Sequence, residues 1–398
     1  MPSRRHLLAG VGSLATAGLA GCLDAVDDRS EQFSPGSDHA TDWPMPRYDA
    51  AQTAFAPDAV APRNGATERW RTEARTPNGS PVVAGGVVYL PRAAGLVAYD
   101  AGSGEERWTY APEDSPWPGS PLVVGDTLYV PFGSDIGLHA IDANTGERRW
   151  SREDVDARTT PVPARDDDAV YAGSQRTGLH RLDGETGESM WERDVFGVPS
   201  ALASDAFGGL FVGTEGGHVY AFSDVTPESP REGWREDAGS AVESLLPTDE
   251  GLLVHTFSDP LRCRQGGLHA GSVRWEVEQE YANSPPVHAG VWVFSAGYDS
   301  VGSVREYDAA VGWRASGRYD RAAPVAAGDR LYVGNERGVH AFELSGGTGI
   351  GQFRLGGKRW SQSLSTTVEG LAVGDGALFA VTSGDDENPA ALVAFDPQ

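Results

Sequence analysis

Short runs rich in β-branched and aromatic residues recur along the chain: VVYLP, TLYVP, AVYAG, LFVGT and RLYVG. Glycine- or aspartate-bearing turns separate them, the pattern of short strands rather than of helices. The order around each run is constant. A Ser/Thr/Ala-Pro-apolar start comes first, as in Ser80-Pro81-Val82, Ser120-Pro121-Leu122, Thr160-Pro161-Val162, Ser284-Pro285 and Ala323-Pro324-Val325. After the run, a glycine opens a third apolar stretch (GLVAYD, GLHAID, GLHRLD, GVHAFE), and a tight turn leads to a fourth strand ending at a tryptophan. Four short strands in about 40 residues predict one blade of a β-propeller.

The tryptophans give the period. Trp70, Trp108, Trp150, Trp191, Trp234, Trp275 and Trp313 are spaced by 38, 42, 41, 43, 41 and 38 residues, and Phe353 continues the series 40 later. In the three clearest copies, AYDAGSGEERW, AIDANTGERRW and RLDGETGESMW, an aspartate stands eight before the tryptophan: Asp100, Asp142 and Asp183. Such an aspartate can accept backbone N–H bonds and hold the turn. Gly104, Gly146 and Gly187 supply positive φ without steric cost. Later copies are degraded: eleven residues separate Ser223 from Trp234, five separate Asp308 from Trp313, and the Trp275 unit lacks the aspartate. The strand around Trp70 has no first three strands before it, and the C-terminal unit stops where its fourth should begin. The expected fold is therefore all-β: an eight-bladed propeller of four-stranded antiparallel blades over residues 67–398, its last blade closed by an N-terminal strand.

The A-x-D-x-x-T-G-x-x-x-W phrase resembles the repeat signature of the quinoprotein-type (PQQ-like) propellers, across roughly residues 67–398. The resemblance implies one of two activities. One branch holds quinone-dependent alcohol and sugar dehydrogenases, which use PQQ, a calcium or lanthanide ion, a catalytic aspartate and often a vicinal cysteine pair. The other holds non-enzymatic exported lipoproteins of the outer-membrane assembly kind. No Cys-Cys pair occurs here. Blade periods of 38 to 43 leave little room for loops that would roof a cofactor. No catalytic, cofactor-binding or metal-binding residue is carried over.

Charge adds the setting. The net charge is −25, and Lys358 is the only lysine. A surface so acidic and lysine-poor fits a protein bathed in concentrated salt, where charges are screened beyond ~3 Å. It argues against nucleic-acid partners, which need a basic patch, and against docking on anionic lipid.

The first residues read as an address. Arg4 and Arg5 form a twin-arginine pair before an apolar Gly/Ala-rich stretch from Leu7 to Gly21, and Leu19-Ala20-Gly21-Cys22 resembles a lipobox. That stretch is shorter than the ~20 residues of a spanning helix and suits a signal peptide. Residues 1–21 are read as the signal and Cys22 as the lipidated residue. Residues 22–66 are read as an acidic tether and lead-in, whose part from Trp43 to Val60 is expected against the domain surface. The protein is then exported and anchored to the outer face of the cytoplasmic membrane.

Remaining candidates for chemistry are few. Cys263, between Arg262 and Arg264, is read as a small buried side chain rather than a reactive thiol. His139, His180 and His340 each precede a turn carboxylate by three residues. Repeat positions lie in separate blades, so these histidines are expected to replace an aromatic rather than converge on a metal. The expectation is a monomeric, non-catalytic binding or scaffold protein for an unknown protein or surface polymer, with no resident cofactor. The alternatives are a PQQ- and calcium-dependent dehydrogenase and a polysaccharide or small-ligand binding module.

Overall fold

The computed structural model describes residue 33 and residues 42–398, apart from 114–116, 134–135, 166–167, 177, 224–228, 279–283 and 351–352. Arg4, Arg5 and Cys22 lie outside the described residues. Those described form eight blades, each an antiparallel four-stranded sheet as the repeat pattern predicts, with one short parallel strand added to a single blade. Blades I to VII take residues 82–110, 122–152, 162–193, 199–237, 242–277, 287–316 and 322–363 in chain order. Blade VIII is built from residues 368–397, and the strand Ala66–Glu73 is its fourth member. Thr67 faces Asp396 and Arg71 faces Val393 across that seam. Head-to-tail pairing leaves the ring without an open edge.

Because strands alternate in direction, the ring has two different faces. One carries the turns between first and second and between third and fourth strands (the turn face). The other carries the blade-to-blade connections and the loops between second and third strands (the linker face).

The sequence signature acts at the joints between blades. Asp100 Oδ1 accepts from the backbone N–H groups of Gly102 and Ser103 at 3.0 and 2.8 Å, and its Oδ2 pairs with Arg107 at 2.6 Å. These donors hold its carboxyl down at about 2. Asp142 and Asp183 close their turns in the same way. Each closed turn then receives the tryptophan of the preceding blade. The indole N–H of Trp70 donates to the Ala101 carbonyl (2.9 Å), Trp108 to Ala143 (3.2 Å) and Trp150 to Gly184 (2.9 Å). A Cβ on Gly104, Gly146 or Gly187 would lie 2.6, 2.8 or 2.7 Å from the indole that rests there. Each glycine is thus required twice, for φ near +75° and for room.

Two positions differ from the sequence reading. Phe353 does not continue the tryptophan series: it lies 79 % exposed on a long hairpin of Gly338–Ile350 and Phe353–Ser363. Trp360 occupies that place, opposite Ala341, its indole donating to the Pro62 carbonyl at 2.9 Å. The hairpin's extra length displaces the tryptophan to 47 residues after Trp313, which a fixed period misses. In blade VI the turn position belongs to Arg305, not Asp308. Ala309 takes the glycine's place at φ +57°, and the Glu306 carbonyl accepts from Trp275.

The proline starts also join blades. Ser120 Oγ donates to the Ser80 carbonyl at 3.0 Å and Thr160 Oγ1 to the Ser120 carbonyl at 2.8 Å.

Candidate functional site

The lead-in segment packs on the turn face, where it runs across the ring's axis and covers the bore. Trp43 exchanges backbone bonds with Val83 of blade I, and Pro44 accepts from Val123 of blade II. Ala50 accepts from Ser204 of blade IV, and Thr53 from His288 of blade VI. Phe55–Ala56 then adds a short parallel strand to the axial edge of blade VII. Its apolar side chains explain why it enters: Trp43, Met45, Ala54 and Ala56 are fully buried. Phe33, from the stretch read as a solvated tether, packs edge-on against Phe294 of blade VI at 6.2 Å.

Arg47 points down the bore. Its guanidinium donates to the carbonyls of Pro286, Pro285 and Pro324. Prolines at the blade starts bring carbonyls without N–H groups to the axis, so a buried cation finds acceptors there. Desolvation lowers the Arg47 pKa to about 10, with Asp49 opposing. Asp49 is pushed above the usual carboxylate range by burial, although the N–H and hydroxyl of Thr53 bind it. His288 Nε2 meets Glu306 Oε2 nearby. An open apolar cavity of about 500 Å³ remains between this segment and blades II and III, lined among others by Met45, Tyr48, Leu122 and Pro163.

The linker face is the other half of the site. Trp117 (55 % exposed), Phe196 (70 %), Phe257 (70 %) and Tyr298 (54 %) stand out from four different loops there. Aromatic side chains are enriched at protein interfaces relative to the rest of the surface. Beside Trp117 lies a cavity of about 370 Å³ lined by Asn78, Pro131, Phe132 and Arg158.

The histidines stay apart. His139, His180 and His340 are buried in the third strands of blades II, III and VII. Tyr110 Oη lies 2.8 Å from His139 Nδ1, and the Ile136 carbonyl lies 3.1 Å from its Nε2. His340 Nδ1 meets Ser361 Oγ at 2.9 Å. Desolvation drives His139 and His340 down to about 4 and lowers His180 too. Cys263 is buried in blade V, and desolvation pushes its thiol up to about 12. Among the described residues, no three His, Cys, Asp or Glu side chains gather where one metal ion would bind. The three histidines and Cys263 lie in four separate blades and share no common site. Among the described residues no helix is long and apolar enough to cross a membrane.

An all-β ring of eight blades, joined by tryptophan latches and plugged on its axis, defines a propeller of the PQQ-like class. The sequence model of the family described as outer membrane protein assembly factor BamB matches residues 58–258. The chain belongs to that PQQ-like propeller family. No curated protein matches it in sequence. Among solved structures, it is similar to a quinohemoprotein alcohol dehydrogenase from Comamonas testosteroni at TM-score 0.67 and 13 % identity, over 89 % of this chain and 80 % of that one. A europium-containing methanol dehydrogenase gives TM-score 0.67 and 12 % identity, over 90 % and 98 %. BamB from Moraxella catarrhalis gives TM-score 0.58 and 17 % identity, over 83 % and 98 %. At such identities these likenesses describe the fold.

Proposed function

We propose that this protein is an exported, lipid-anchored, non-catalytic propeller that binds a protein or surface polymer across its linker face. The observation that carries the reading is the set of four exposed aromatic side chains on that face, presented by rigid blades. Membership in the assembly-factor family supports a protein-binding role, and the twin-arginine and lipobox motifs support export and anchoring at Cys22. The acidic, lysine-poor composition supports life in high salt. The likeness to two dehydrogenases favours a second reading, a PQQ- and calcium-dependent oxidoreductase.

The test is crosslinking and pull-down of the membrane-anchored form in high salt, comparing the native chain with a Trp117→Ser, Phe196→Ser, Phe257→Ser, Tyr298→Ser variant. Partner capture should fall at least about tenfold in the variant while its folding is unchanged. Equal capture by both forms would overturn the reading. Saturable uptake of PQQ with calcium, together with dye-linked oxidation of an alcohol or sugar, would establish the alternative.

A further inference from the structure

Among the described residues, one joint between blades lacks its latch. The indoles of Trp70, Trp108, Trp150, Trp275, Trp313 and Trp360 each donate to a backbone carbonyl of the next blade's turn or, for Trp360, of the lead-in. The turn that faces Trp191 includes residues outside those described. Trp234, on the outer strand of blade IV, has no acceptor among the described residues. The cause is legible in blade V. Its third-to-fourth turn has Gln265 at the aspartate position, which accepts from the Gly271 N–H at 2.9 Å. Asp100 and Gly104, joined by the same bond, are four residues apart; Gln265 and Gly271 are six apart. The lengthened turn contains a short 3-10 turn, Gly267–His269. The two-residue extension carries the turn off the indole, and Gly271 rests against Glu236 instead.

What remains is a cleft of about 380 Å³ between blades IV and V on the turn face. Trp234 and Phe211 form its apolar wall, Gly266 lies opposite, and the Glu250–Arg274 ion pair closes one side. Phe211 stands where Tyr89 and Tyr129 send hydroxyls to the same latch carbonyls in other blades. Nothing lies within 4 Å of where a Cβ of Gly266 or Gly267 would sit. Beside the cleft, Phe207 and Leu268 are almost fully exposed, one on each blade. Asp205 and Asp249 add negative charge to its lining.

We propose that this cleft is a socket for a glycine-bearing tight turn of another polypeptide. The occupant's chemistry is defined by the molecule itself. In closed joints the same indole carries a turn whose carbonyl accepts from the ring N–H and whose glycine lies flat on the ring. A partner turn of that kind restores both contacts, covers Phe207 and Leu268, and is favoured by a basic residue facing the acidic lining. The proposal deepens the binding reading, and rests on its premise that the partners include polypeptides. It concerns the opposite face.

The test follows the indole N–H resonance of Trp234 in isotope-labelled protein, assigned through Trp234→Phe. The probe is an unlabelled, disulfide-closed hairpin peptide reproducing residues 138–152. A saturable shift at Trp234 is expected. Deleting Leu268 and His269 restores the four-residue spacing, lets the turn close on the indole, and should weaken peptide binding at least about tenfold. Trp234→Phe, which keeps the ring and loses the donor, should weaken it as well. The proposal is overturned by an absent shift, by undiminished binding to the deletion variant, or by a shift that maltohexaose produces and the peptide does not. Equal capture by the native chain and the four-serine variant, with the Trp234 shift intact, would count against the aromatic-loop site alone; a fall of about tenfold in capture with no Trp234 shift would count against this one alone.

Discussion

Trp150 shows how much one residue of the repeat carries. Its ring packs on Tyr129 at 5.8 Å, rests on Gly187 and donates to Gly184. Trp150→Ala removes all three contacts and should cost about 3 kcal/mol in a urea titration. Trp234→Ala, which breaks no latch, should cost clearly less. Gly146→Ala places a methyl 2.8 Å from the Trp108 ring at φ +75°, and should cost about 1–2 kcal/mol. The buried histidines set a pH dependence. His139 and His340 hold their protons only below about 4 in the fold, against 6.5 when unfolded. Between those values the unfolded chain binds more protons, so stability is full above pH 6.5 and falls as the pH drops toward 4. Denaturant midpoints measured from pH 7.5 to 4.5 should decline, and a His139→Phe, His340→Phe variant should decline less steeply.

At the scale of elements, the lead-in segment behaves as part of the core. Residues 42–57 put Trp43 and Met45 under the inner strands and send Arg47 to three proline carbonyls. Arg47→Ala strips those carbonyls of a charged donor and should cost about 3 kcal/mol. Removing residues 42–57 should do more: the bore opens at the turn face, the apolar ends of blades I, II and VII meet water, and binding of a hydrophobic dye should rise sharply. A variant that keeps native stability and low dye binding would show the segment to be dispensable packing.

At the scale of the whole molecule, the ring depends on one seam. Ala66–Glu73 pairs with Ala391–Pro397, and Arg69 crosses the joint to Asp396 and Asp375. Closure makes every blade a neighbour of two others, so unfolding should be cooperative across all eight. Deleting residues 391–398 frees Ala66–Glu73 and leaves an open edge. The expected outcome is a lower and broader thermal transition, together with association through the exposed strand.

The blade count and the closing strand were legible in the sequence, because strand period and turn chemistry are local: a Pro start, a glycine at positive φ and an aspartate within three residues of the N–H groups it binds. The Trp360 position escaped a fixed spacing because the blade VII hairpin is longer than its siblings. The axial plug was hidden for a different reason. Trp43, Arg47 and Ala56 find partners some 40 to 280 residues away, and no local pattern encodes which blade will face them. The open socket at Trp234 is likewise tertiary: the sequence shows only that the Trp275 unit lacks its aspartate, and the packing of blade IV against a longer turn makes the empty place. The sequence by itself determined a closed ring of eight blades and the turn chemistry that latches most of them. The tertiary structure decided which latch stays open and what fills the centre, because both depend on surfaces that meet only after the ring has closed.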